Sequence, residues 1–247
     1  MPATTPDRPN SPPDAATPKA PPDKRGTLRR IAEAARREFA AKGLANARVD
    51  DIAFAAGVTK QLVYHYFRSK EELFVSVLDA SSADTMHGLV ALELDHLPPR
   101  AALRALLNHM IDPYRDPTLS SLAQEGIRFH ENHATPRNSF IELAPELQEK
   151  MRRILARGAA NGDFRADLDA DLVLTAAALA TTSAFVSRYT VSTLSGLDVG
   201  TKNDAETWSR FSVEFVMSAV ERERSDLHPL TRRANDPVPP FSAQGND

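Results

Sequence analysis

Apolar residues recur every three or four positions along most of the chain, the period of a helix with one buried face, and no stretch alternates as a half-buried strand does. From Thr27 to Gly43 the stripe Leu28, Ile31, Ala32, Ala35 and Phe39 is interleaved with basic residues, and Gly43 closes the segment. A short second helix is predicted from about Val49 to Ala56, burying Val49, Ile52, Ala53 and Ala56, with Gly57 supplying the backbone freedom for a tight turn. Thr59 then caps a third helix, Lys60 to Phe67, too short to hold a core alone and therefore pinned to the first by Val63 and Phe67. Ser69-Lys70-Glu71-Glu72 reads as a capping box opening a longer helix, Lys70 to about Gly88.

Beyond this the pattern stays helical, divided at Pro98-Pro99, Pro113, Pro117, Pro136, Pro145, Gly158 and Gly162. Asp169 to about Ser195 is apolar on several sides, and Ala205 to about Glu223 carries Trp208, Phe211, Phe215 and Val216 on one stripe. Helices that apolar face other helices. With Gly196 to Asn203 as their connection, they suit an antiparallel pair that meets its twofold mate as a four-helix bundle. Residues 1–26, with eight prolines and no apolar periodicity, read as a disordered leader, and residues 227–247 as a disordered tail. The expected architecture is all-α. A three-helix helix-turn-helix domain spans 27–72, and a larger helical regulatory and dimerisation domain spans 73–226.

Charge changes this picture. The net −3 conceals a segment, residues 24 to 70, with eleven Lys/Arg against four Asp/Glu, while residues 71 to 247 carry −9. A basic head on an acidic body is the footprint of a nucleic-acid binder, since clustered cations release counterions from phosphates. The absence of cysteine removes disulfides, thiolate metal sites and cysteine nucleophiles. The leader lacks the apolar core of a signal peptide, and no run reaches the roughly 18 apolar residues of a membrane span. A cytoplasmic protein that does not engage membranes is expected. Enzyme chemistry lacks its usual parts: no phosphate-cradling glycine loop, no nucleophile elbow and no HExxH. No cofactor or metal is expected; His130, His133 and Glu125 have too loose a spacing for a metal site.

Two short helices around Gly57-Val58-Thr59, the second exposing Lys60, Gln61, Tyr64 and His65, have the form that lays a recognition helix in a major groove. The run Asp51-Ile52-Ala53-Phe54-Ala55-Ala56-Gly57-Val58-Thr59-Lys60, followed by Val63-Tyr64-His65-Tyr66-Phe67-Arg68-Ser69-Lys70-Glu71-Glu72-Leu73, resembles the signature of the tetracycline-repressor (TetR) family over about residues 25 to 85. Lys60 and Gln61 can reach guanine and adenine edges, and His65 a base or phosphate. Tyr64 and Tyr66 face the sugar-phosphate backbone, with Tyr66 also suited to pack under the first helix. Lys70, beside the free amides of its helix start, can hold a phosphate. Thr59 is read mainly as a cap. The sequence departs from the family where small hydroxyl residues usually cap the second helix: Ala47 and Arg48 stand there, so the cap is lost or moved to Asn46, with Arg48 offering a charged phosphate contact. Leu62 replaces the small residue of many relatives, so no operator sequence transfers.

The resemblance implies a homodimer on double-stranded DNA with a palindromic operator, and a C-terminal cavity for a small-molecule effector whose binding releases the DNA. Candidate effector contacts are the polar or aromatic groups on otherwise apolar helices: His109, Tyr114, Phe129, His130, Phe140, Phe185, Arg188 and Tyr189. The segment Gly162-Asp163-Phe164-Arg165 to Asp171 also loosely resembles the subgroup containing the uracil-responsive pyrimidine-catabolism regulator, from which no ligand identity follows. The effector signal is expected to travel through the single 70-to-88 helix joining the domains. A DNA-binding structural or adaptor protein without a ligand is the alternative.

Overall fold

The structure, a computed structural model, describes residues 23–133 and 138–222. Most of the leader, the tail and the break at Pro136 lie outside the described residues. Ten α-helices occur among them: α1 (Lys24–Asn46), α2 (Val49–Ala56), α3 (Lys60–Tyr66), α4 (Lys70–Val90), α5 (Pro99–Ile111), α6 (Pro117–Asn132), α7 (Ser139–Ala160), α8 (Ala170–Val186), α9 (Arg188–Ser195) and α10 (Lys202–Val220), with a 3-10 turn at Asp112–Arg115. Lys24, Arg25 and Gly26, read as leader, begin α1 instead.

The described chain forms two compact units. The first holds residues 23 to 81 and 121 to 133, the second residues 82 to 120 and 138 to 222. The chain passes between them within α4 and again within α6, so two helices join them where the sequence suggested one. In the first unit Ile31, Ala35 and Phe39 of α1 close over Ile52 and Ala53 of α2, Val63 of α3, Leu73 and Phe74 of α4, and Leu122 of α6. Phe39 and Phe74 meet edge to face at 5.0 Å, and Phe74 meets Phe129 in the same way at 5.5 Å. Such pairs add about 0.5–1.5 kcal/mol beyond the area they bury.

The turns of this unit follow from local chemistry. Gly57 takes φ 66°, and the amides of Gly57 and Val58 return to the carbonyls of Phe54 and Ala53, closing α2 with the paired bonds of a Schellman motif. Gly43 takes φ 68°, and the chain resumes one more helical turn before Ala47. Thr59 accepts from the Leu62 amide at 3.2 Å and caps α3. Ser69 accepts from the Glu72 amide at 3.0 Å, while the Glu72 carboxylate reaches back to the Arg68 amide at 2.8 Å.

In the second unit α5 runs centrally. Leu103, Leu106, Leu107 and Ile111 are fully buried with Met151 and Ile154 of α7, Ala177 and Ala184 of α8, and Val213 and Met217 of α10. Pro145 and Gly158 do not break α7; both lie inside it. Pro145 forgoes one backbone bond, and Gly158 makes room for Phe164. The helix expected from Asp169 to Ser195 is two, α8 and α9, bent by 88° at Ser187, where φ −110° and ψ 48° leave the helical region. Beyond the bend Val191 enters the core and the Arg188 guanidinium reaches the buried Ser120 hydroxyl at 3.1 Å. Among the described residues no single helix is long and apolar enough to cross a membrane.

Candidate nucleic-acid interface

Three helices set the recognition face. Val49, Ile52 and Val63 anchor α2 and α3 in the core, and Arg30 of α1 donates to the Ala56 carbonyl at 3.1 Å, holding the end of α2. With Val63 buried, Lys60, Gln61, Tyr64 and His65 are left exposed on α3. Leu62, Tyr66 and Phe67 are half-buried; Tyr66 packs on the core and also meets the His65 ring edge on.

Beside this face an open groove of about 460 Å³ is lined by Arg48, Asp50, Lys60, Tyr64, Arg68 and Lys70, among others. Four cations around one groove, next to a helix whose first amides lack intrahelical partners, make a surface suited to a phosphodiester backbone. Lys60 and Lys70 are partly engaged already. The Lys60 ammonium lies 2.9 Å from Asp50, whose hydrogen-bonding carboxylate holds the lysine pKa above its usual value. Lys70 donates to the carbonyls of Ala45 and Ala47, both at 3.2 Å, tying the α1–α2 loop to the start of α4. An ammonium has three donors, so one remains for a phosphate oxygen.

The lost cap of α2 is not moved to Asn46, whose amide donates to the Lys42 carbonyl. Arg48 stands at the N-cap without a side-chain cap bond, and its own backbone amide goes to the Glu38 carboxylate at 3.2 Å. Asp50 and Asp51 in the first turn of α2 complement the helix dipole in its place. Arg68 and Asp50 belong to the groove although sequence reasoning did not single them out. Asp50 meets Lys60 ten residues away across a turn, outside any helical period.

The eight effector candidates are not gathered in one place. Phe129 and His130 lie in the first unit, with Phe129 between Phe74 and the stacked His133 ring, 4.2 Å away. In the second unit Phe185 is core, and Tyr114 is half-buried against it, with its phenol pKa pushed up by burial. His109, Phe140, Arg188 and Tyr189 are exposed to differing extents; His109 sits 3.0 Å from its own helix carbonyl at Ala105. Glu125 pairs with Arg128. Among the described residues no three metal-ligating side chains come together.

Comparison with known proteins agrees with this geometry. Residues 31–77 match the family described as bacterial regulatory proteins, tetR family, and residues 99–216 match the tetracyclin repressor-like C-terminal domain. The HTH-type transcriptional repressor NicS of Pseudomonas putida is 30% identical over 198 residues, covering 78% of this chain and 91% of NicS. The repressor KstR2 of Mycolicibacterium smegmatis is 33% identical over 161 residues, covering 64% of this chain and 75% of KstR2. The crystal structure of the TetR family regulator PfmR from Thermus thermophilus aligns with a TM-score of 0.57 at 28% identity, covering 78% of this chain and all of PfmR. With an exposed recognition helix beside a cationic groove and both family domains matched in order, the chain belongs to the TetR family of DNA-binding, helix-turn-helix transcriptional repressors.

Proposed function

We propose that this repressor acts in the cytoplasm as a homodimer on a palindromic operator and leaves it when a small-molecule effector binds the second unit. The observation that carries the DNA reading is the exposed row Lys60, Gln61, Tyr64 and His65 beside the cationic groove. Gln61 and His65 face outward for base edges; Arg48, Tyr64, Arg68 and the remaining donor of Lys70 serve phosphates, with Thr59 as the cap that sets the helix start. Leu62, half-buried behind them, supports the helix.

Support for the dimer is a pair of uncovered apolar stripes: Leu172 and Leu179 on α8 are 69% and 64% exposed, and Phe211 and Phe215 on α10 are 59% and 58% exposed. Apolar side chains of this size at helical spacing on adjacent elements suit an isologous four-helix interface. Tyr114 and Arg188, which place a phenol and a guanidinium on the second unit, are the candidates we retain as effector contacts. Effector binding would shift the equilibrium between two separations of the recognition helices; a hundredfold loss of operator affinity requires about 2.7 kcal/mol of differential binding.

The test is selection from sheared genomic DNA at two salt concentrations, with Tyr64→Ala as control. Recovery of a short palindrome by the native protein alone supports the reading. Retention of DNA without a shared sequence, or of none, overturns it.

A further inference from the structure

We propose that Asp50 decides what Lys60 touches: its carboxylate holds the ammonium inside the groove, toward a DNA phosphate, and leaves base reading at the start of α3 to Gln61. The inference rests on the operator-binding reading above and adds a specificity-determining residue to it.

Asp50 is well placed for this. It stands in the first turn of α2 between the buried Val49 and the α2 core, so its backbone is fixed, and a carboxylate there is favoured by the helix dipole. Its neighbour Asp51 is occupied elsewhere, 2.9 Å from Lys42, which leaves Asp50 to Lys60. The pair lies among the groove-lining residues with Arg48 and Tyr64, and the Asp50 carboxylate raises the Lys60 pKa above its usual value. Gln61, by contrast, is exposed, and its side chain makes no hydrogen bond to another described residue, so both ends of its amide are available to adenine N7 and N6.

The two destinations of Lys60 differ in charge accounting. A lysine that stays beside Asp50 can give its two remaining N–H groups to a phosphate without leaving the carboxylate bare. A lysine that leaves for a guanine edge abandons Asp50 as a lone anion beside the DNA backbone, where like charge repels. The carboxylate therefore acts as a selector against base contact by its partner.

Selection from a randomised duplex pool tests this with the native protein, Lys60→Gln, Asp50→Asn, the double variant, and Asp51→Asn as a charge-matched control. Lys60→Gln is expected to weaken binding by a similar factor on every selected sequence and to reduce the salt slope by about one, with the half-site unchanged. Asp50→Asn is expected to gain a guanine preference at one position of each half-site, and the double variant to lose that gain. Asp51→Asn is expected to raise affinity while selecting the native half-site. Loss of a single base preference in Lys60→Gln, or selection of the native half-site by Asp50→Asn, overturns the proposal. If the native protein selects no common sequence, the operator reading itself fails, and this inference with it.

Discussion

The ring of Phe164 occupies the space that a side chain at position 158 would need: a β-carbon on Gly158 would lie 1.9 Å from Phe164 Cδ2. Phe164 is 1% exposed, and the amides and carbonyls on either side of it bond to the end of α10, Arg165 to Val220 and Arg222 to Asp163. The glycine is therefore a packing residue of α7, placed where the chain returns after the helix. Gly158→Ala is expected to cost about 1–3 kcal/mol by overpacking. Chemical denaturation checks this, and Gly158→Ala in a Phe164→Leu background should recover part of the loss. Equal stability of native protein and Gly158→Ala would show that the ring moves aside freely.

Gly43 combines backbone and contact constraints. At φ 68° and ψ 172°, a region essentially confined to glycine, a residue with a β-carbon is strained by about 1–3 kcal/mol, and that β-carbon would also stand 3.1 Å from the Glu125 carboxylate of α6. Gly57 lies at φ 66° and ψ 39°, in the left-handed helical region, with nothing within 4 Å of an added β-carbon. Both alanine variants should lower the melting temperature, Gly43→Ala by more, because its backbone conformation is less accessible to alanine and its β-carbon also meets Glu125 of α6. Equal shifts would mean that the chain around Gly43 relaxes to accept the side chain.

Thr59 caps α3 through one bond to the Leu62 amide. Thr59→Ala is expected to cost about 0.5–2 kcal/mol, and Thr59→Ser to restore most of it, since only the hydroxyl oxygen is needed. Hydrogen exchange of the α3 amides reads the effect locally. Unaltered exchange in Thr59→Ala would place the start of the helix under other control.

Burial holds the Tyr114 phenol above its usual pKa. The folded protein then keeps this proton more tightly than the unfolded chain does. The stabilisation is complete below about pH 10, where the unfolded tyrosine titrates, and is lost as pH rises from there through the folded value. In an ultraviolet titration Tyr114 should ionise above the ordinary tyrosine range. Tyr114→Phe should remove this alkaline component of the stability profile; an identical profile would assign it to another group.

The exposed stripes on α8 and α10 predict a further outcome. Under the dimer proposed above, Leu179→Glu with Phe215→Glu should give a monomer in sedimentation where the native protein gives a dimer, with helical content unchanged, because both positions face away from the core of the unit. A doubly substituted dimer would move the interface elsewhere.

Much of the DNA-binding head is legible in the sequence because its determinants are local. The stripe Ile31, Ala35 and Phe39, the Gly57 turn, the Thr59 cap and the Ser69/Glu72 pair each act over three to five residues, and the exposed row on α3 follows once Val63 is assigned inward. The groove is less legible. Lys70 meets Ala45 and Ala47 more than twenty residues earlier, and Lys60 meets Asp50 across a turn, so neither pairing leaves a periodic trace.

In the second unit, residue pattern alone determined that helices form and roughly where α5 and α10 run. It also marked the faces of Phe211 and Phe215 as apolar. Only the tertiary structure decided that Gly158 and Pro145 stay within α7, that α8 ends at Val186 with Arg188 turned toward Ser120, and that α6 from Ser121 onward packs in the first unit through Leu122 and Phe129. The physical reason is the range of the forces concerned. Capping, glycine dihedrals and amphipathic period are properties of neighbours in the chain, whereas a bend, a buried hydroxyl or a ring set against a glycine exists only when segments distant in sequence pack together.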